Sequence, residues 1–357
     1  MLKLTLLPAR QGDCLWITYG REEAAHHLVI DGGPEKAGTL RSHIQSRMTA
    51  APDRKLHIDL LVVTHVDNDH IGGVLEVIEN LPSGLTIGEI WFNAYRHLLP
   101  PDKLGPPQGD RLSKALDRLQ PAVPWNVGFD EGPVVIPDQG ALPRRTRQDG
   151  MTITLLGPDR PQLARLAGVW AKVVAEEEMT VKGKREADDL LGRKEPWPPD
   201  ITTLAQRKFQ SDTGEANGSS IALLVEYDGK RILCAADAHA VPLANALTRL
   251  PDEEERIRLS AFKLSHHGSR KSTSSELLKL VACERYLIST DGSYFGHPDP
   301  EAIARVLVNA GKNPKLIFNY DVSFTNRSKK GRVRGAPAYE SVFPERGAQG
   351  REIVFLP

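Results

Sequence analysis

The sequence predicts a layered α/β fold, with two β-sheets and helices on their outer faces, and two observations carry that expectation. Short apolar runs of strand-like composition open the chain and return after its middle third. Each of these halves then passes into strand–helix units, the order that builds sheets covered by helices. No repeat of fixed period appears, so a single domain over 1–357 is expected.

In chain order, LKLTLLP, CLWITYG and HHLVIDGG alternate apolar runs with glycine or polar punctuation and read as a meander of strands. Residues 35–50 read as a helix and Ile58–Thr64 as a strand. GGVLEVIEN at 72–80 has helical apolar spacing, and IGEIWFNA returns as a strand near residue 90. From 97 to 215 the chain loosens into proline-rich linkers, one strand-like run (MTITLLG) and a charged helical stretch around 161–193. This segment is expected to be an insertion at the rim of the molecule, with PWPPD at 196–200 as a surface loop. SSIALLVEYDGKRILCAAD reads as two strands joined at Asp228-Gly229, a strong hairpin signal. Two strand–helix units follow, AFKLSHHGS with SSELLKLVA, then RYLISTDGS with DPEAIARVLVNAG. Residues 320–357 form a C-terminal extension that is basic at first and ends in the strand-like REIVFLP.

Acidic and basic residues balance at 46 each in 357 residues, so a polyanion could be drawn only by a local patch. Cys14, Cys234 and Cys283 lack metal-type spacing and read as small core residues of a protein from a reducing compartment. The opening MLKLTLLPARQGD lacks an apolar signal core, and no apolar run reaches the length of a bilayer span. A cytoplasmic protein without membrane contact is the resulting expectation.

The stretch THVDNDHIGG places His65, Asp67, Asp69 and His70 where a strand stops and a helix begins. Imidazole and carboxylate are the donor types that hold Zn, Mn or Fe ions. A capped polar turn is the plain alternative. Three more strand ends carry such residues: Asp31 in LVIDGG, Asp237 and His239 in ILCAADAHA, and His266 and His267 in AFKLSHHGS. Open α/β layers place ligand sites at the carboxyl ends of strands, and four coincidences of this kind point to a metal site.

The order IDGG, THVDNDHIGG, AAD, HHG resembles the metallo-β-lactamase fold, an αββα sandwich of hydrolases with one or two metals. Within it, the chain is most similar to the corresponding domain of the competence DNA-uptake channel protein. The shared motifs are RQGD at 10–13, IDGG at 30–33, the turn at 65–73, Asn217–Ser220, Ala236–Asp237, His266–Ser269 and GHP at 296–298. They cover 1–95 and 215–310.

The resemblance implies that His65 and Asp67 hold one divalent metal and Asp69 and His70 the other, with Asp237 between them. It implies one ligand from His266 and His267, with His266 favoured and His267 and His239 as further candidates. It gives Asp31 the task of orienting the ligand turn, with Asn217 and Ser220 supporting the site, and makes His297 the proton donor to a leaving group. Histidine is replaced by Asp67, and the segment EANGSSIAL lacks the usual third-motif histidine. The first metal position is therefore rich in oxygen, which favours Mn over Zn.

The implied chemistry is metal-dependent hydrolysis of a phosphodiester by a metal-bound hydroxide, oriented by Asp69, with nucleic acid as substrate. Two other classes use the same residues: a hydrolase of small esters, lactones or phosphate esters, and a binding module with an incomplete site. The basic run containing Lys329, Lys330 and Arg332 is a candidate nucleic-acid contact. Protein partners in a multi-component system are a further expectation.

Overall fold

The computed structural model describes residues 1–98, 111–180, 200–251, 255–329, 334–346, 348 and 350–357. Lys330 and Arg332, expected to touch nucleic acid, and the PWPPD loop except its last residue lie outside the described residues.

The strands form two large sheets. The first has six strands in the order Arg351–Leu356, Leu2–Leu6, Leu15–Arg21, Ala24–Ile30, Leu60–Val62 and Ile90–Trp91. Its first four strands pair antiparallel and its last two run parallel to Ala24–Ile30. The second has eight strands in the order Glu340–Val342, Lys315–Phe318, Arg285–Ile288, Ala261–Lys263, Lys230–Cys234, Ala222–Tyr227, Thr152–Gly157 and Arg144–Thr146. The two-residue turn at Asp228-Gly229 joins Ala222–Tyr227 to Lys230–Cys234, with both residues at positive φ as a tight hairpin requires.

Side-chain alternation makes the sandwich. On the first sheet, Leu28, Ile30, Leu60 and Val62 face a core shared with Leu223, Val225 and Phe262 of the second. The intervening Val29 and Leu61 face outward and pack with Leu40, Ile44, Val74 and Ile78. Those last four belong to the helices Thr39–Ala50 and Asn68–Glu79, which cover that outer face. The second sheet buries Leu243, Leu247, Ile303 and Val306 from the helices Ala240–Leu247 and Pro300–Asn309. A strand buried on both faces loses the polar alternation, which is why Thr152–Gly157 is buried throughout.

The segment 97–215, expected at the rim, contributes two neighbouring strands to the second sheet, Arg144–Thr146 and Thr152–Gly157. The charged helix within it runs Arg160–Thr180. The C-terminal extension gives one strand to each sheet: Glu340–Val342 lies beside Lys315–Phe318, and Arg351–Leu356 closes onto Leu2–Leu6. The three cysteines are buried and unbridged. Among the described residues, no helix is long and apolar enough to cross a membrane.

Candidate metal centre

The carboxyl ends of Leu60–Val62, Lys230–Cys234 and Ala261–Lys263 lead directly into the ligand-bearing turns. Glycines let those turns close on one another. Gly73 packs so tightly on Gly32 that a Cβ there would lie 2.0 Å from the Gly32 carbonyl oxygen. A Cβ on Gly12 would lie 1.8 Å from the Asp69 carbonyl oxygen. The IDGG and RQGD turns are thereby pressed against the His65–Gly73 turn, where any side chain would push them apart.

Asp13, His70, Asp237 and His267 each offer one ligand atom, all within 4.8 Å of one another, and all four residues are buried. Asp31 is fully buried and accepts from the Thr64 amide, the Thr64 hydroxyl and His70 Nδ1, each at 2.8 Å. It therefore holds the ligand turn and the His70 ring together. His267 Nδ1 donates to the Ser289 carbonyl at 2.9 Å.

These two bonds fix the tautomers. With Nδ1 donating, a neutral imidazole carries its lone pair on Nε2. The Nε2 atoms of His70 and His267 face each other at 3.3 Å. Asp237 oxygens lie 3.4 Å from the former and 3.5 Å from the latter, and Asp69 Oδ2 is 3.4 Å from His267 Nε2. Two lone pairs and two carboxylates converging in a buried space suit a cation. Asp237 Oδ1, Asp13 Oδ1 and His65 Nε2 are buried without a hydrogen-bond partner, as expected of metal donors. The residues fit a divalent metal.

Electrostatics agree. Burial raises the Asp237 carboxyl, but the His267, His70 and His266 rings overrule it and hold it well below the usual range. Burial likewise opposes charge on His70 and His267. Asp237, followed by Asp69 and Asp31 for His70 and by Asp13 for His267, nevertheless raises both well above 6.5. The same carboxylates that draw positive charge to these rings would draw a cation.

The other expected residues fall into three places. His65 Nδ1 sits 2.9 Å from the Thr64 hydroxyl and 3.3 Å from that of Ser220, and its Nε2 is 3.5 Å from Asp67 Oδ2. Those residues form the neighbouring side of the centre, with the His65 and His70 rings 4.2 Å apart. His266, the favoured ligand, is turned elsewhere: its Nδ1 meets Asp212 Oδ2 at 3.0 Å, and its Nε2 stands 3.8 Å from Asp237. The turn puts both histidines in left-handed backbone, φ 49 and 55, and sets their rings 78° apart, so only His267 enters the four-donor cluster. Asn217 donates to the same Asp212 carboxylate at 2.8 Å.

His239 points away, its Nε2 at 3.0 Å from the Gly214 carbonyl. His297 is buried with its ring 5.4 Å from that of His266 and its Nδ1 3.6 Å from Asp299. Lys329 is paired with Asp321 at 3.1 Å.

Asp13, Asp212 and Lys263 were not singled out by sequence reasoning. Asp13 lies in the quoted RQGD motif, and Lys263 is a lone cation in the apolar run AFKL, so both left a signal. Asp212 left none.

The sequence matches the family described as metallo-beta-lactamase superfamily over residues 7–292. No curated protein matches the chain. Among solved structures, the chain is similar to the metallo-beta-lactamase fold protein YhfI from Bacillus subtilis, at 11% identity and a TM-score of 0.38, covering 99% of this chain and 100% of that one. It is also similar to CmlA, a diiron beta-hydroxylase from Streptomyces venezuelae, at 10% identity and a TM-score of 0.42, covering 99% of this chain. The chain spans about half of CmlA, 53% of its length. With a family match running from the first sheet through the last ligand turn, the chain belongs to the metallo-beta-lactamase superfamily.

Proposed function

We propose that this protein is a metal-dependent phosphodiesterase acting on nucleic acid. The observation that carries the metal chemistry is the facing pair of Nε2 lone pairs of His70 and His267, 3.3 Å apart among carboxylates. Support for the substrate comes from the motif resemblance to the competence DNA-uptake domain.

Asp13, Asp69, His70, Asp237 and His267 would hold one divalent ion, and His65 and Asp67, with Asp237, a second. Bound metal would supply Lewis-acid stabilisation of a phosphoryl group and activation of water at neutral pH. The chain's own residues supply position. Asp31 locks the tautomer of His70, and Ser289 does the same for His267. Asp69, with its carboxylate 13% exposed at the mouth of the cluster, orients the attacking water. His297 hands a proton to the leaving oxygen.

Hydrolysis of a small ester or lactone would use the same cluster, so one panel separates the readings. The purified protein is loaded with Mn, Zn or Fe and offered single- and double-stranded DNA and RNA beside bis(para-nitrophenyl) phosphate, esters and lactones. Cleavage of a nucleic acid that stops on chelation and in Asp69→Asn is expected, with Mn more effective than Zn. Turnover of an ester or lactone with every phosphodiester untouched would overturn the proposal.

A further inference from the structure

A polar cavity of about 280 Å³ opens near the turn that carries His266 and His267. It is lined by Arg207, Lys208, Arg270, Lys271 and Arg305, against one carboxylate, Glu301. That imbalance stands out in a chain whose acidic and basic residues are equal in number.

The cations are built into place. Arg305 is 2% exposed and donates to the carbonyls of Arg270 at 2.7 Å, Thr273 at 2.9 Å and Arg207 at 3.2 Å. Carbonyl dipoles satisfy its hydrogen bonds without cancelling its charge. It clamps the 207 segment to the 270–273 loop. Glu301 is engaged by Arg207 at 2.9 Å, and Asp299 faces Arg270 at 3.7 Å. Neither Lys208 nor Lys271 has a carboxylate partner among the described residues.

The cavity is linked to the ligand turn through the chain and one hydrogen-bond relay. Arg270 and Lys271 follow the two histidines after Gly268 and Ser269. The Lys271 carbonyl accepts from the Asp212 amide at 3.0 Å, and the Asp212 carboxylate accepts from His266. The Lys208 and Lys271 ammonium groups, without a carboxylate partner among the described residues and close in sequence to the ligand turn or facing the same cavity, suit a phosphate. The volume falls at the lower end for small-ligand pockets and fits a phosphate group better than a whole nucleotide.

We propose that this cavity is a phosphate subsite, which holds a backbone phosphate of a nucleic-acid strand flanking the bond at the metal centre. The inference rests on the phosphodiesterase reading and deepens it. It implies that a polynucleotide is preferred to a minimal diester because only the former reaches both places.

The test is Lys208→Ala/Lys271→Ala in the full chain, which leaves every proposed metal donor intact. Binding of a labelled single-stranded oligonucleotide is measured across salt concentrations, in an Asp69→Asn background to prevent turnover. Loss of the one phosphate contact made in the cavity flattens the log–log salt slope by ~0.7. In the catalytic arm, the metal-loaded double variant should lose activity on the oligonucleotide while its turnover of bis(para-nitrophenyl) phosphate, which has no second phosphate, is unchanged. Unaltered oligonucleotide affinity and slope would overturn the subsite, even if inorganic phosphate binds there. Equal loss on both substrates with a lowered melting temperature would also overturn it, by showing a structural role. If no phosphodiester is cleaved even without the substitutions, the proposed function falls, while the binding arm still decides whether the cavity holds a strand.

Discussion

The ammonium of Lys263 rests on the carboxylate of Asp13, both of them buried, 250 residues apart in sequence. The pair joins the RQGD turn of the first sheet to the strand that leads into His267, directly beneath the proposed metal centre. Breaking such a pair from one side strands a buried charge, which costs about 3–5 kcal/mol. Lys263→Met is therefore expected to lower the unfolding stability of the metal-free protein by that order in chemical denaturation. Asp13→Asn combined with Lys263→Met should recover part of the loss, since no charge is left unpaired. Full stability in Lys263→Met alone would mean that the pair is not buried in solution.

Metal retention should separate the two adjacent histidines. His267→Ala removes a donor of the cluster, whereas His266→Ala removes a ring held by Asp212. Metal analysis after dialysis should show loss in the first variant and near-normal content in the second. The opposite result would restore His266 as the ligand.

Asp31 lies outside the four-donor cluster and holds His70 Nδ1 at 2.8 Å. Replacement of such a partner typically weakens metal affinity by about 10–100-fold. Asp31→Asn should fall in that range in a metal titration, with little change in overall secondary structure by circular dichroism. Unchanged affinity would show that the Thr64 contacts alone orient the turn.

Proton uptake should also set the acid limit of stability. Burial, followed by the charge of Arg47, lowers His27 and His43 from 6.5 to about 4; burial and Arg96 do the same for His97. Between these values the unfolded chain binds more protons than the folded one, so stability falls as pH drops from 6.5 to 4. The melting temperature should thus be lower at pH 5 than at pH 6.5, and a flat profile would contradict the buried, neutral state of these rings.

Much of this was legible in the sequence, and the exceptions have physical reasons. The hairpin at Asp228-Gly229 and the ligand-rich turn at His65–Gly73 are local features, written in turn chemistry and residue spacing. The choice between His266 and His267 depends on two consecutive left-handed residues, which alternation along a strand does not anticipate. Asp13 and Lys263 meet only because a short loop and a distant strand fold together. Thr152–Gly157 was recognised as strand-like, but its pairing with Ala222–Tyr227 spans a segment of weak periodicity. The closing strand Arg351–Leu356 pairs with the opening one, a contact across nearly the whole chain.

The central claim is that a divalent cation belongs between His70, His267 and Asp237, and crystallography of the Mn-loaded protein tests it most directly. An anomalous difference map is expected to show a strong peak bounded by the two Nε2 atoms and the Asp237 carboxylate, with Asp69 at its edge. Clear density for unliganded rings, with no anomalous peak at this position under saturating Mn or Zn, would contradict the account.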